Sequence, residues 1–403
     1  MNRPRSRILI IPLAIGLVLA VSSIATTTPA DGATAQPTAA PQDTAVALFV
    51  GSGRAQAAVG PGGVVGPVMS AEQFAASVSS PSDALQSAAD GFFANGGSTL
   101  FVVLVSDESA AALVAALAAD AVAPLVETGA DLLAVPALGS LDGPDYVAVA
   151  AALGSATELR AIALLDPPTS VVQAAMASDP TPLVELADQL RSTVPDPSSM
   201  VLYSSGLVDA VSGAAVPAVG PMAGLIVAND TANGMTTPAA GLNLPLTGVE
   251  PVYAVSNDSL DPLEIAGVDP FRHVVGYGTV MWGDRTLAAA DGAPESRLLN
   301  VRMIMNSIQQ TMSLALLSVV FEPNDSFAWQ VVEQSLSTYL TGLWAEGVLL
   351  GTSAADAFTV ECGIGTTMTV DDVLNGVIAV QVQVAITAPG QYIELSNTGE
   401  MAT

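Results

Sequence analysis

The chain predicts an α/β fold with mixed sheets covered by helices and a C-terminal part of α+β character. Between residues 100 and 229, short continuous apolar runs alternate with Ala-rich stretches of helical period. That is the pattern of a mostly parallel sheet buried on both faces. From Pro251 the texture changes to strands rich in β-branched and aromatic residues, followed by two long amphipathic helices. At 403 residues and 51% hydrophobic, with mean hydropathy +0.54, the chain is long enough for two or three packed units.

At the N-terminus Arg3, Arg5 and Arg7 precede an apolar run over 8–25, a Thr/Pro segment and Ala33-Thr34-Ala35. This is the order of a secretory signal peptide over 1–35, cut between Ala35 and Gln36. The 18-residue run would cover roughly 27 Å as a helix, so a retained membrane anchor is the alternative. Pro12 and Gly16 weaken a long helix and favour cleavage. No later apolar run is long enough to span a bilayer, so the body is expected to be soluble.

After a short arm at 36–43, TAVALFVG at 44–51 reads as a strand and the Gly-rich stretch 51–67 as a surface loop. The Ser70 hydroxyl can cap a helix starting near Glu72, and a second helix over 82–93 stops at Asn95-Gly96-Gly97. Strands are expected near 101–105, 132–138, 161–166, 200–205 and 224–229. Asp166 falls at the carboxyl end of its strand, where open α/β sheets bind ligands. With Pro167-Pro168 after it and no base or cation nearby in sequence, it reads as a structural turn.

Further on, 274–283 reads as a strand, and 300–317 as a helix with Ile304, Ile308, Met312 and Leu316 on one face. Glu322-Pro323-Asn324-Asp325 breaks the chain and caps a helix in which Phe327, Val331, Leu336, Leu340 and Leu343 can face a core, ended by Gly347. Thr369 with Asp372 three residues on marks a capping box, and Gly376 stops that short helix. In 377–387, Val380, Val382, Val384 and Ile386 alternate with Gln381 and Gln383, the pattern of a half-buried strand. A last short strand is expected over 391–395, including Tyr392, Ile393 and Leu395. An unprotected terminal strand can add to a neighbour's sheet.

Ten Arg and no Lys stand against 38 Asp plus Glu, a formal charge of −28. That removes Schiff-base and Walker-A chemistry and leaves few cations for phosphate backbones, so no nucleic-acid partner is expected. The single Cys362 excludes an intramolecular disulfide and reads as a small core residue. His273 is the only histidine, so no two-histidine metal site can form. A serine hydrolase built on His273 is a remote alternative, since no Gly-x-Ser-x-Gly elbow accompanies it. The pairs Asp107-Glu108 and Asp371-Asp372 suit helix starts better than acid/base work. No enzyme activity and no cofactor are expected, with a divalent cation bridging acidic subunits left open. Asn229, Asn257 and Asn324 begin N-glycosylation patterns, the last reading as part of a helix cap.

The chain resembles the contractile tail sheath family, the outer tubes of phage tails and related injection systems. The resemblance is distributed from residue 44 to the C-terminus. TAVALFVG is similar to the family's first core strand, and FFANGGSTLFVVLV at 92–105 to its Phe-Phe-x-Asn-Gly-Gly segment. LLDPP at 164–168, PMAGLIVANDTANGMTTPAAG at 221–241 and VMWGDRTL at 280–287 follow in the family's order. NVRMIMNSIQQ, FEPND, GLWAEGVLLG, AFTVECG and VAITAPGQYIEL complete the series. The resemblance implies a sheath-like α/β domain over 44–250 and a C-terminal domain over 251–403 with a terminal strand for inter-subunit sheet augmentation. It implies that Val380, Val382, Val384, Ile386, Tyr392, Ile393 and Leu395 take part in strand exchange, the partner being the chain itself.

Two departures shape the expectation. The family's extended N-terminal arm is replaced here by the apolar leader and a short Thr/Pro/Ala stretch, and an export signal is foreign to sheaths assembled in the cytoplasm. The expected function is therefore a structural subunit that polymerises into an extracellular, cell-surface tube or filament, with contraction left open. The alternative is a contractile sheath subunit assembling around an inner tube, in a virion tail or cytoplasmic apparatus. A monomeric surface protein that kept the fold but lost assembly is a further reading. A membrane is met only through an uncleaved leader.

Overall fold

In a computed structural model of the chain, the described residues are 9–13 and 45–386, apart from 57–62, 119–121, 128, 158–159, 177–178 and 292–295. The first described segment, Leu9–Leu13, is a strand (β1) whose partner lies near the other end of the chain. The apolar runs that follow build one large sheet: Val46–Ser52 (β2), Val64–Val68 (β3), Leu100–Val105 (β4), Ala130–Ala134 (β5), Ile162–Leu165 (β6), Met200–Tyr203 (β7) and Val268–Asp269 (β8). Its order is β8-β7-β6-β5-β2-β4-β3. All neighbours are parallel except the edge strand β3, antiparallel to β4.

Strand alternation sends Ala47 and Phe49 to one face of this sheet and Leu48 and Val50 to the other, all fully buried. Each large apolar side chain so placed contributes about 1.5–3 kcal/mol. After the short helix Ala71–Ser77 (α1), capped by Ser70 as expected, Asp83–Ala94 (α2) covers the Phe49 face. Gly143–Thr157 (α3) and Thr181–Thr193 (α4) cover the Leu48 face. Within the Gly-rich stretch read as a loop, residues 64–68 instead form the edge strand β3.

The strand expected at 224–229 is a helix, Val219–Asn233 (α5), and the reason is physical. A segment buried on every side has no polar face to reveal its period, so its apolar run fits strand and helix equally. Its packing partner is α2, and the two backbones meet closely. A Cβ on Gly220 would lie 2.3 Å from the Ala88 carbonyl oxygen, and one on Gly224 2.2 Å from that of Phe92. The Gly-x-x-x-Gly spacing is therefore a helix-contact face.

The strand expected over 274–283 is a hairpin, Phe271–Val274 (β9) and Gly278–Met281 (β10). It turns at Gly276, which holds a positive φ of 86°. Leu299–Leu317 (α6) and Ser326–Ala345 (α7) follow, the latter capped by Asp325 accepting the Phe327 and Ala328 N–H groups. Phe358–Glu361 (β11), Val370–Leu374 (α8) and Val380–Val384 (β12) complete the chain. The capping box of Thr369 and Asp372 forms as the sequence predicts.

A third core gathers Ile304, Ile308 and Met312 of α6, Val332, Leu336 and Leu340 of α7, and the inward valines of β12. Packing thus divides near residue 300, not at the expected 250: β8 extends the large sheet, and Phe271, Met281 and Leu299 belong to its Phe49-side core. Phe327, expected to face the core, is 70% exposed because the helix stripe begins one position later, at Ala328.

The α2–α5 seam generates a prediction. Gly224→Ala forces a methyl group against the α2 backbone and is expected to destabilise the fold by roughly 1–3 kcal/mol. The measurement is urea unfolding, with Ala223→Gly as the control for helix propensity alone.

Candidate assembly site

The terminal strands meet in a three-stranded antiparallel sheet ordered β1-β12-β11. Leu9 to Leu13 pair in register with Val384 to Val380, and Phe358 to Glu361 pair with Val384 to Gln381 on the other side. Val380, Val382 and Val384 are buried in the third core, while Gln381 and Gln383 lie on the less buried face. β12 is thus the centre of its sheet, with both edges occupied, and not a free strand. Ile386 adds an isolated bridge to Leu349. Tyr392, Ile393 and Leu395, the other residues expected in strand exchange, lie outside the described residues, as do Ala35 and Gln36.

The apolar leader enters this site in an unexpected form. Residues 9–13, read from sequence as part of the apolar run of a signal peptide, are an edge strand. Pro12, which weakens a helix, is tolerated there because an edge strand leaves one row of backbone groups unpaired. Among the described residues no helix is long and apolar enough to cross a membrane.

Near this sheet the turn between α6 and α7 carries apolar groups into solvent. Leu317, Phe321 and Phe327 are exposed there, Phe321 to 93%, as is Leu374 at the end of α8. The turn itself is well held. The Asn324 amide donates to the Val373 and Val377 carbonyls at 3.4 and 3.0 Å, and its oxygen accepts from the Trp329 indole at 2.8 Å. Asn324 is therefore a structural bracket, consistent with its place in a cap. Of the other glycosylation patterns, Asn229 is buried and bonded to the Thr237 carbonyl, whereas Asn257 is exposed and accepts from Arg272.

The residues that might have carried chemistry are placed apart. His273 lies exposed on β9, opposite Thr279, with no hydrogen bond to a serine or carboxylate. Cys362 is buried in the third core, where burial and the nearby Glu333 push its thiol up to about 12. Asp166 does not open toward a ligand: its carboxylate accepts the N–H groups of Ala218 and Val219 at 3.1 and 3.5 Å, at the start of α5. Full burial pushes it up to about 8. The ligand crevice typical of a doubly wound sheet is occupied likewise. Glu108 accepts from the Ser52 N–H at the end of β2 and from the Ser82 hydroxyl.

Two more buried carboxylates stand at the joint between the hairpin and α6. Asp269 accepts the Arg285 N–H at 2.9 Å, and Asp284 accepts the Asn300 N–H at 3.4 Å. Burial raises both, Asp284 to about 7. Sequence reading missed these two because an isolated aspartate looks like a surface residue. The only local signal is Gly283, where a Cβ would lie 2.3 Å from an Asp269 oxygen.

No known protein-family model matches this chain, and no curated protein matches it. Solved structures do. The chain has the fold of the protein in the helical sheath of the anti-feeding prophage in its contracted state. There the TM-score is 0.71 at 23% identity, over 94% of this chain and 100% of that one. It also matches a chain of the six-fold baseplate of the same particle, with TM-score 0.71 and 24% identity over 94% and 100% of the two chains. A third match is the contracted sheath complex of an extracellular contractile injection system, PVC, with TM-score 0.68 and 21% identity over 95% and 99%.

The buried carboxylates predict a pH dependence. Asp166 and Asp284 bind protons more tightly in the folded chain than in the unfolded one. Their contribution is full below the unfolded carboxylate range and is lost as pH rises through about 7 to 8. The midpoint of thermal unfolding is expected to fall between about pH 5 and about pH 8. Asp166→Asn should flatten that slope, as followed by circular dichroism at fixed ionic strength.

Proposed function

We propose that this protein is the structural subunit of a helical sheath of the contractile injection type, polymerising with copies of itself around an inner tube. The observation that carries the reading is likeness over the whole length of a sheath subunit, 94% of this chain against 100% of the other. It is supported by a C-terminal sheet built to accept a strand from a distant part of the chain. The matched structures come from a contracted sheath and from an extracellular injection system, which favours the contractile alternative over the exported filament expected from sequence. The protein acts mechanically and not as an enzyme, and its place is an extracellular or virion-type particle.

In this reading β1 is the exchanged strand and β12 with β11 is the receiver. The link over 14–45 can reach roughly 100 Å when extended, far enough to bridge neighbouring subunits. Such a contact is heterologous and repeats without closing, which generates a tube. It rests on backbone hydrogen bonds, so the charge of −28 does not oppose it locally. The exposed Phe321 and Leu374 then provide apolar contact between neighbours.

A second reading, an exported filament without an inner tube, is favoured by the Arg-flanked apolar run and the Ala-x-Ala sequence at 33–35. Mass analysis of the N-terminus of native particles separates the two. A start at Gln36 removes β1 and supports the exported filament, and an intact leader supports the strand-exchanging sheath.

Assembly itself is tested by negative-stain electron microscopy of the full chain and of a chain beginning at Ala45. Tubes from the full chain only are the expected result. Tubes from both would exclude β1 as the exchanged strand, and small particles from both, in low salt, high salt and calcium, would favour a monomeric surface protein. Phe321→Asp with Leu374→Asp is expected to cut polymer mass in sedimentation at least about tenfold, with the monomer's melting unchanged.

A further inference from the structure

At the amino-terminal edge of the large sheet, a cavity of about 30 Å³ lies between the strand starts, α5 and α6. Its polar lining is Asp131, Asp230, Asn306, Ser307 and Gln310. Asp131 opens β5 and accepts the Val46 N–H with one oxygen at 2.9 Å, which leaves the other available. Asp230 lies in the last turn of α5, where the helix presents its carbonyl end and a second negative charge is unfavourable. The two carboxylates border the same cavity. The three ion pairs of the described residues, Arg191–Asp188, Arg285–Glu264 and Arg302–Asp196, involve neither.

A separate observation comes from α6. Asn306 is 5% exposed, and its side-chain oxygen is buried without a hydrogen-bond partner. In a smaller adjoining cavity, also bordered by Asp230, the Asn300 side-chain oxygen is likewise buried and unpartnered. Carboxylate and amide oxygens gathered in one small space are acceptors seeking positive charge. With no lysine in the chain, no side chain of that kind can supply it.

We propose that the cavity is a site for one hard cation, of which calcium is the best fit, ligated by Asp131, Asp230 and the Asn306 side-chain oxygen. All three donors are oxygen, the set that selects calcium over softer metals, and water can complete the coordination. No group of three or more His, Cys, Asp or Glu is placed to hold a metal among the described residues; the third ligand here is an amide. The volume suits a single ion. With two carboxylates, affinity belongs in the weak range of extracellular calcium modules, on the order of 10⁻⁴ to 10⁻³ M. The ion would fasten α6, and with it the third core, to the edge of the large sheet. This assignment stands apart from the sheath reading and does not require assembly.

The test is calorimetric titration of the full chain with calcium, with magnesium and with sodium chloride of matched ionic strength, alongside thermal unfolding under the same conditions. One saturable calcium site per chain is expected, raising the unfolding midpoint above the sodium control. Asp131→Asn and Asp230→Asn should each weaken binding at least about tenfold, and Asn306→Asp should tighten it. Absence of saturable binding overturns the assignment, leaving the cavity to water. Equal binding in wild type and all three variants also overturns it, since the calcium would then sit elsewhere on the acidic surface.

Discussion

Scarcity of positive charge governs how this protein holds its carboxylates. With ten arginines, no lysine and 38 acidic residues, most acids cannot be paired, and the structure turns to the backbone instead. Asp131 takes the Val46 N–H, Glu108 that of Ser52, Asp166 those of Ala218 and Val219, and Asp269 that of Arg285. Asp284 takes Asn300 and Glu333 takes Cys362. Each bond joins elements far apart in sequence, so the acids act as rivets between strand ends and helix starts. A hydrogen bond of this kind contributes about 0.5–1.5 kcal/mol net, and a buried donor left unpaired would cost about 1–3 kcal/mol.

The same constraint favours backbone contacts at larger scale. Two helices approach through Gly220 and Gly224 until side chains no longer separate them, and the terminal sheet joins β1 to β12 by strand pairing alone. Neither contact needs a cation. In the proposed sheath, a highly acidic chain packed against copies of itself would gain from interfaces of this kind, because Coulomb repulsion between surfaces is screened within about 10 Å at ordinary ionic strength while backbone hydrogen bonds persist. The exposed Phe321 and Leu374 beside the turn at Asn324 extend this logic to apolar contact.

Local signals were legible where one face of an element meets water. The stripe of α6, that of α7 apart from Phe327, the Thr369–Asp372 capping box, the Ser70 cap and the alternation of β12 stand in the structure as the sequence implies. Legibility failed where the chain is buried all round or where a strand's partner is remote in sequence. α5 read as a strand because its apolar run has no polar face, and the leader read as a signal peptide, with no strand expected over 9–13, because its pairing partner lies some 370 residues away, with Leu9 opposite Val384. The burial of Asp269 and Asp284 is equally hard to read, since Gly283 is the one neighbouring residue that points to it.

By itself, then, the amino-acid sequence determined the α/β class, most element positions, the exclusion of lysine- and cysteine-dependent chemistry, and the resemblance to sheath subunits. The first three follow from composition and from periods of two and 3.6 residues, which are local quantities; the resemblance rests on the ordered segments from TAVALFVG to VAITAPGQYIEL. Only the tertiary structure decided that β12 is a central strand, that 9–13 is its partner, that α5 packs on α2 through glycine, and that Asp131, Asp230 and Asn306 share one cavity. Those outcomes depend on which distant backbone group or side chain comes within a few ångströms, and burial makes that choice collectively.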